Sequence, residues 1–346
     1  MRKWYEQMSA DSDVLISCRV RLARNVKGNM FSRQMNEQQA DQLVQQVLSL
    51  TSQLAETRNE KFYSCKVNNL RDIDKSSMVE WHLITPALAQ KKQATGVLVS
   101  EDERISIMVN EEDHLRIQVT QEGMNLAQAL DKANEIDDYF NEKLGFSFDK
   151  HYGYLTSCPT NVGTGLKASY LLFLPALSMA GKIDQLADEI SKYGVQIRSI
   201  YGEANKNYSH IYQISNKTTL GRSESEIIDN LDQITSQTIA QERKRREYIL
   251  SVNSEEIEDK IYRSYGVLKY AKKLNTGDSL LMLSQLKLGM DVSLIQFNEE
   301  FNVLKTMMEI TPANLQKLGK KQMSRNERER YRATYLNQVI PSLKQN

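Results

Sequence analysis

The sequence is poor in the residues that commonly mark metal sites and disulfide scaffolds. Its 346 residues include four histidines and only three cysteines, Cys18, Cys65 and Cys158, which form no CxxC pair and no even disulfide set. A zinc site is therefore not expected, and the cysteine content suits a reducing cytosol. Lys and Arg number 45 against 44 Asp and Glu, and this net charge of +1 argues against direct binding of nucleic acid or anionic membranes.

Long hydrophobic runs are missing as well. The first residues contain no apolar signal core, and the most apolar stretch, residues 170–177, is far too short to span a bilayer. We therefore expect a cytoplasmic protein. What is present is an ordinary globular composition, 40% hydrophobic and 26% charged, which allows one large domain with a smaller one.

The first two-thirds of the chain is predicted to mix strands with helices. Strands are predicted at 14–22, 61–67, 95–100, 104–109, 114–120, 195–200 and 210–215, the third to fifth of these as a meander. Helices are predicted at 36–55, from Leu126 to Gly145, from about 166 to 174, and up to 193. Because strands follow one another directly, antiparallel pairing and an α+β fold are expected.

The last third is predicted to be all-helical. Capping patterns place helix starts at Ser223, Asn253 and Ser324, and Pro312 suits a first helical turn. Since no Pro- or Gly-rich linker separates the two parts, the boundary is expected inside a long helix. We predict a catalytic domain at 14–246 and a helical C-terminal domain at 247–346.

A predicted strand carries two arginines where a buried strand would carry valines. In Ser17-Cys-Arg19-Val-Arg21 the strand period of two places both guanidinium groups on one face. Two neighbouring forks repel unless an anion lies between them, so the motif favours a phosphate clamp. The alternative is a solvated edge strand.

Three further motifs contain groups that can handle a cation or an anion. Asn110 to Arg116 places three carboxylates in a turn between strands, where they can bind or deprotonate a cation; a charged hairpin tip is the alternative. The loop Cys158 to Gly165 precedes the helix predicted at Leu166, whose first turn would attract an anion. Arg198 and Glu203 flank a glycine turn. No Walker A loop and no HRD or DFG motif is present.

In order and spacing these motifs resemble the phosphagen (ATP:guanidino) kinase superfamily. Thr156-Ser-Cys-Pro, Gly163-Thr-Gly165, Tyr201-Gly-Glu203 and Arg263-Ser-Tyr-Gly266 are most similar to its bacterial protein-arginine kinases. The resemblance implies an antiparallel sheet flanked by helices, followed by a helical domain used for dimerisation. It also implies transfer of the γ-phosphoryl group of ATP to arginine in proteins, in stress response and protein quality control.

The resemblance assigns roles residue by residue. The residues implied to hold ATP are Ser17, Cys18, Arg19, Val20, Arg21, His82, Arg116, Lys167, Ala168, Ser169, Tyr170, Leu171, Arg198, Ser199, Ile200, Tyr201, Gly202 and Glu203. Glu112 and Glu203 would grip the substrate guanidinium, with Glu112 as the base and Cys158 lining the pocket. Mg²⁺ would be held mainly through phosphate oxygens and water, and no protein metal ligand is implied.

Two departures from the family pattern stand out. Lys167 replaces a phosphate-binding arginine, which keeps the charge but loses the bidentate fork. Near the C-terminus, Arg328, Glu329, Arg332 and Ala333 resemble an allosteric phosphoarginine pocket in which Glu329 replaces an aspartate. An exposed charged helix is the alternative for this segment.

Substrate and partners also follow from the resemblance. Free-guanidine kinases carry a helical domain ahead of the arginine-bearing strand, where this chain has about a dozen residues, which favours arginine within a protein. The alternatives are a free-arginine kinase and a catalytically weak phosphoarginine-binding adaptor. The implied partners are a second copy of the chain, a zinc-binding activator protein, a stress-response repressor and a Clp-type chaperone.

Overall fold

The computed structural model describes residues 3–6, 11–200, 202–203 and 206–344, with the backbone alone at 202, 203 and 206. The described residues form twelve strands: β1 (Leu15–Arg24), β2 (Phe62–Lys66), β3 (Gly96–Ser100), β4 (Ile105–Val109), β5 (Leu115–Gln121), β6 (Phe148–Asp149), β7 (Gly153–Tyr154), β8 (Leu166–Phe173), β9 (Val195–Ser199), β10 (Gly202–Glu203), β11 (Lys206–Asn207) and β12 (Ile211–Asn216). They also form twelve α-helices: α1 (Glu37–Ser49), α2 (Thr51–Arg58), α3 (Asp72–Glu80), α4 (Pro86–Gln90), α5 (Leu126–Leu144), α6 (Pro175–Met179), α7 (Ile183–Ser191), α8 (Glu224–Tyr270), α9 (Thr276–Asp291), α10 (Val303–Glu309), α11 (Pro312–Leu318) and α12 (Arg325–Val339).

Eight strands form one sheet in the order β2-β3-β4-β5-β1-β8-β12-β9, and every neighbouring pair is antiparallel. Each strand predicted from the sequence is present within two residues of its expected bounds. The predicted meander is β3-β4-β5. The α+β class and the antiparallel pairing are thus confirmed.

The helix predicted at about 166 to 174 is wrong, because β8 (Leu166–Phe173) occupies this segment as a central strand between β1 and β12. Leu166, Ala168 and Tyr170 alternate into the core, whereas Leu171 packs on the opposite side against the C-terminal helices. Because both sides are covered at this end, the strand is apolar on both, and its period of two is hidden.

Most helix predictions are confirmed with small changes. The helix from Leu126 ends at Gly145, and capping boxes are present at Ser223 and Ser324. The segment 36–55 forms two helices, α1 and α2. At Asn253 two helices meet in a kink, with non-helical φ and ψ of −135° and 35°, so a helix begins there as predicted, although the two form one continuous segment, α8. Among the described residues, no helix combines the length and apolar character needed to cross a membrane.

The two faces of the sheet differ in what covers them. The face bearing Cys18, Val20 and Leu22 packs against α1, α5 and the first half of α8. A second core joins the later helices to the sheet through Phe173 and Ile211 at strand ends. The helical C-terminal part therefore lies at one end of the sheet, beside the second, more polar face.

Candidate functional site

The polar face of the sheet carries a cationic cradle, defined as Arg19, Arg21, Arg116, Lys167 and Arg198. Register places Lys167 of β8 opposite Arg21 of β1, and Arg198 of β9 opposite Gln213 of β12. Since β1 lies between β5 and β8, the alternative of a solvated edge strand is wrong. Four strands thus bring five cations to one surface.

Arg19 and Arg21 of β1 are partly buried cations that lack full pairing. Their Nε atoms are buried and make no hydrogen bond within the described part of the chain, although Arg19 Nη2 donates to Gln213 Oε1 at 3.1 Å. Burial and the nearby Arg116 lower the pKa of Arg19 to about 10, and burial with Arg19 holds the pKa of Arg21 well below its usual value. Buried donors that repel one another are stabilised by an anion between them.

A cleft of about 550 Å³ opens over this cradle. Arg19, Arg21 and Arg198 form its floor, and His82 lies beside them. Burial and Arg19 lower the pKa of His82 to about 4, so its imidazole is neutral near pH 7. The cleft therefore joins a cationic end to a neutral ring, which suits a phosphorylated ligand with an apolar part.

The three carboxylates of the acidic turn between β4 and β5 differ in burial and in their partners. Buried Glu111 pairs with Arg116 at 3.0 Å and accepts from Thr85 Oγ1 at 2.7 Å. Buried Asp113 accepts from Asn25 Nδ2 at 2.7 Å and from Ser157 N at 2.6 Å. These contacts fix the turn, so the alternative of a solvated hairpin tip is wrong.

Glu112 is the acid of this turn that faces outward. Its side chain is 29% exposed, and its nearest cation is Arg33, whose Nη2 lies 3.6 Å away on a side chain that is 79% exposed. Such a mobile surface partner is readily displaced. Glu112 can therefore receive another cation from solution.

The loop before β8 brings Cys158 to the same region. Ser157 N donates to Asp113, which ties this loop to the acidic turn, and Cys158 lies close enough to Lys167 to act on its pKa. The predicted helix N-terminus is absent, because a strand follows the loop. Gly165 has φ +67°, and a Cβ there would lie 2.7 Å from the carbonyl oxygen of Ala23, so the loop joins β8 only through glycine.

Lys167 differs from a phosphate-binding lysine in open solvent because its ammonium group already has a protein partner. Its side chain donates to the carbonyl oxygen of Asn216. Burial, Arg21 and Arg198 together lower its pKa to about 8. The ammonium is thus already held by protein oxygen and loses its charge at mildly alkaline pH.

The remaining residues implied to hold the nucleotide divide between the two faces. Ser17, Ser169, Leu171 and Ile200 line a recess beside Arg19 and His82, and Ser199 lines the main cleft. The side chains of four others lie in the core on the opposite face, namely Cys18, Val20, Ala168 and Tyr170. The resemblance implied these four as parts of continuous segments, but alternate residues of a strand point to opposite faces, so only every second residue of such a segment faces the cleft.

Three implied positions lie in the loop after β9. Tyr201 is outside the described residues, and at Gly202 and Glu203 the structure describes only backbone, in the short strand β10. Nothing is therefore added to the role implied for the Glu203 side chain.

Several cleft residues escaped the sequence motifs. Gln118 and Gln213 lie on the cradle face and line the cleft. Strand alternation could have predicted both, because Gln118 is two residues after Arg116 and Gln213 lies between the core residues Tyr212 and Ile214. Glu80, Thr276 and Pro312 line the cleft from helices. Their position depends on tertiary packing, which no local pattern records.

The C-terminal candidate pocket is partly buried on α12. Arg332 is 2% exposed, and it donates to the carbonyl oxygens of Ile310 at 2.9 Å and Leu274 at 3.0 Å. Burial and Arg328 lower its pKa to about 10. Ala333 is fully buried, so an exposed charged helix does not describe this segment.

Glu329 and Arg328 extend this pocket towards the surface. Glu329 pairs with Lys273 and Arg325, each at 3.1 Å, and Arg328 donates to the carbonyl oxygen of Met323 at 2.8 Å. The two arginines are close enough for Arg328 to act on the pKa of Arg332. Together they offer paired cations next to a carboxylate.

Family models match two adjacent parts of the chain. Residues 41–245 match the ATP:guanido phosphotransferase C-terminal catalytic domain, and residues 254–346 match the protein-arginine kinase McsB C-terminal domain. A protein-arginine kinase of Halothermothrix orenii is 40% identical over 95% of this chain and 94% of its own length. A protein-arginine kinase of Bacillus subtilis (strain 168) is 38% identical over 98% of this chain and 93% of its own length.

Solved structures agree on the fold. A lombricine kinase shares 22% identity with a TM-score of 0.58, covering 68% of each chain. The duplicated taurocyamine kinase of Schistosoma mansoni shares 21% identity with a TM-score of 0.61, covering 76% of this chain and 38% of its own.

Proposed function

We propose, from the premise that this chain belongs to the ATP:guanido phosphotransferase family, that it transfers the γ-phosphoryl group of ATP to arginine side chains of proteins. The observation that carries the proposal is the pair of guanidinium groups of Arg19 and Arg21, whose buried Nε atoms have no hydrogen-bond partner among the described residues, in a cleft close to the acidic turn. The protein-arginine kinases with about 40% identity along nearly the whole chain support the acceptor.

The cationic cradle holds the phosphates of ATP. Its guanidinium groups donate to the phosphate oxygens and spread the negative charge that moves during transfer. Neutral His82 packs at the nucleoside end. The cradle offers cations rather than metal ligands, and the buried acids Glu111 and Asp113 already bind protein partners. This suits Mg²⁺ that is held by the phosphates of ATP and arrives with them. When bound, Mg²⁺ neutralises phosphate charge.

The acceptor arginine is held by carboxylates. Glu112, with Glu203, orients the guanidinium, and Cys158 lines its pocket. Glu112 takes a proton from the attacking nitrogen as the new N–P bond forms. The bond from the γ-phosphorus to the bridging oxygen breaks, and ADP leaves with that oxygen.

An open acceptor end favours arginine within a protein over free arginine. Beside Glu112 the side chain of Arg33 is 79% exposed, and Met30 and Phe31 of the same loop are also exposed. A side chain still attached to a polypeptide can enter such a site. Transfer of ³²P from ATP to casein, measured beside free arginine, tests this, and transfer to free arginine alone would contradict it. Binding of phosphoarginine without any transfer would favour the adaptor alternative.

Lys167→Arg is expected to lower the KM for ATP several-fold and to remove its rise at alkaline pH. With a pKa of about 8, Lys167 is charged below pH 8 and neutral above it, so its attraction for phosphate falls as pH rises through 8, whereas arginine stays charged. KM for ATP is measured from about pH 6.5 to about pH 9.5. Lys182→Arg, outside the cradle, is the control. Unchanged or poorer constants would mean that the lysine fits its surroundings.

The domain boundary and the homodimer are also proposed. A catalytic domain at 14–246 and a helical domain at 247–346 agree with the change of family model between 245 and 254 and with the kink at Asn253. After the kink, α8 exposes Tyr262, Val267 and Tyr270, which suits contact with a second copy.

The chain is therefore expected to sediment as a dimer at micromolar concentration. Tyr262→Glu with Tyr270→Glu should shift it to a monomer, because two charges are then placed in the contact. Tyr63→Glu is the matched control, since Tyr63 is 53% exposed on β2. A monomeric wild type at that concentration contradicts the dimer.

Phosphoarginine is expected to change the activity of the intact enzyme through the pocket on α12. Arg328→Ala should raise the half-maximal phosphoarginine concentration by about tenfold or more and leave basal transfer intact, because one charge-assisted contact is lost. Arg332 is left in place, since it also anchors two carbonyl oxygens. Arg330→Ala, at an exposed position on the same helix, is the control. A wild-type response in Arg328→Ala would leave α12 without this role.

The resemblance to bacterial protein-arginine kinases extends the proposal to the cell. The enzyme acts in the cytoplasm during stress response and protein quality control. Its partners there are a zinc-binding activator protein, a stress-response repressor and a Clp-type chaperone.

A further inference from the structure

The cleft over the cationic cradle has one wall that comes from the helical C-terminal part. Thr276 and Leu280 at the start of α9, and Thr311 with Pro312 at the start of α11, line it opposite the sheet. The shape of the cleft therefore depends on where these helix starts are held relative to the sheet.

Glu80 holds the start of α11. Its carboxylate accepts from Thr311 Oγ1 at 2.7 Å, from Ala313 N at 2.9 and 3.0 Å, and from Asn314 N at 2.8 Å. Hydrogen bonds to an ionised acceptor are about twice as strong as neutral ones. The side chain of Glu80, the last residue of α3, thus binds three residues at the start of α11 in the opposite wall, namely Thr311, Ala313 and Asn314.

The same residue lies next to the nucleotide end of the cleft. Glu80 is two residues before His82, which has φ +59° and whose carbonyl oxygen accepts from Gln118 Nε2 at 2.9 Å. His82 is close enough to Arg19 for the guanidinium charge to lower its pKa, and Gln118 lies opposite Arg21 in the sheet. A shift of Glu80 relative to α11 therefore changes the distance between cradle and helical wall.

The far side of this contact is also fixed. Arg332 of α12 donates to the carbonyl oxygen of Ile310, directly before Thr311, and Ser77 Oγ donates to Asn314 Oδ1 at 2.6 Å. The segment 310–314 is thus held by α12 on one side and by Ser77 and Glu80 of α3 on the other. Of the α3 residues that contact α11 in this way, Glu80 is the one that also lines the cleft.

We propose that Glu80 is a positioning residue for nucleotide binding, which keeps the helical C-terminal wall at the distance from the cradle that ATP requires. This inference rests on the proposed function, in which the cleft binds ATP. The Glu80 carboxylate is occupied by its hydrogen bonds to the start of α11, so it acts on ATP affinity through the position of this wall and leaves the acceptor site unchanged.

Glu80→Gln and Glu80→Ala test this in the full-length protein. KM for ATP and the Kd for ATP with Mg²⁺ are expected to rise about fivefold in Glu80→Gln and about tenfold or more in Glu80→Ala. KM for the protein acceptor should stay within about twofold of wild type, a split that general destabilisation does not produce. Glu80→Gln keeps the shape of the side chain and one acceptor oxygen, so it keeps the test usable where Glu80→Ala fails to fold.

Glu242→Gln is the matched control. The Glu242 carboxylate is buried and accepts from Ala176 N and Leu177 N, each at 2.9 Å, at the start of α6 and away from the cleft. This variant should lose thermal stability and keep the wild-type KM for ATP.

Arg21→Ala distinguishes the positioning role of Glu80 from the location of the nucleotide site. If Arg21→Ala weakens ATP binding while both Glu80 variants bind ATP like wild type, the positioning role is overturned and the nucleotide site stands. If Arg21→Ala also binds ATP like wild type, the cleft is not the nucleotide site and both assignments fall.

Discussion

Replacing Glu112 with glutamine is expected to lower phosphoryl transfer by about a hundredfold or more, while ATP binds nearly as in wild type. The substitution removes a negative charge and a proton acceptor but almost no volume. Because Glu111 and Asp113 hold the turn through their own partners, the backbone at 112 should stay in place. The initial rate of ³²P transfer to a protein acceptor and the Kd for ATP are the two quantities to measure.

Glu122→Gln is the control for this loss. Glu122 follows the other end of β5, its side chain is 28% exposed against 29% for Glu112, and it pairs with Arg104 at 2.7 Å. Its loss should leave transfer unchanged. Wild-type turnover in Glu112→Gln would remove this residue from the mechanism.

Arg21→Met is expected to weaken ATP binding by roughly tenfold to a hundredfold and, in the absence of ATP, to raise the thermal midpoint. The partly buried guanidinium of Arg21 is repelled by Arg19 and Arg116 and has a buried Nε without a partner among the described residues, so it costs stability until an anion arrives. Methionine keeps the apolar stem and removes the repulsion. Thermal unfolding with and without ATP and Mg²⁺ reports both effects.

Arg24→Met is the matched control on the same strand. Arg24 is more deeply buried than Arg21, at 1% exposed, but it pairs with Asp137, with Nε to Oδ2 at 3.0 Å. Its loss leaves a buried carboxylate unpaired, so this variant should be destabilised and keep its stabilisation by ATP. If Arg21→Met is destabilised in the same way and keeps the full ATP shift, the cradle is not an anion site.

Local patterns predicted much of this fold for physical reasons. The amphipathic period of α5 and the capping boxes at Ser223 and Ser324 are local and are present in the structure. The strand period of two placed Arg19 and Arg21 on one face. It failed for β8 because the C-terminal helices cover Leu171 and Phe173 on the side opposite the main core, which makes the segment apolar on both faces.

The site was predictable only in part. Sequence order places three acids in the turn, but only packing shows that Glu111 and Asp113 hold it while Glu112 faces out. Likewise, Glu80 and Thr311 are 231 residues apart, and their contact depends on how α3 meets α11. Contacts of that kind have no local signal.

Mass spectrometry that avoids acid is the most direct measurement of the central claim. The purified chain is incubated with ATP, Mg²⁺ and casein, and the digest is searched for phosphate on arginine. Phosphoarginine is expected on the acceptor protein with the wild-type enzyme and is expected to be nearly absent with Glu112→Gln. Phosphate on serine, threonine or tyrosine alone, or none on the protein while free arginine is phosphorylated, would contradict it.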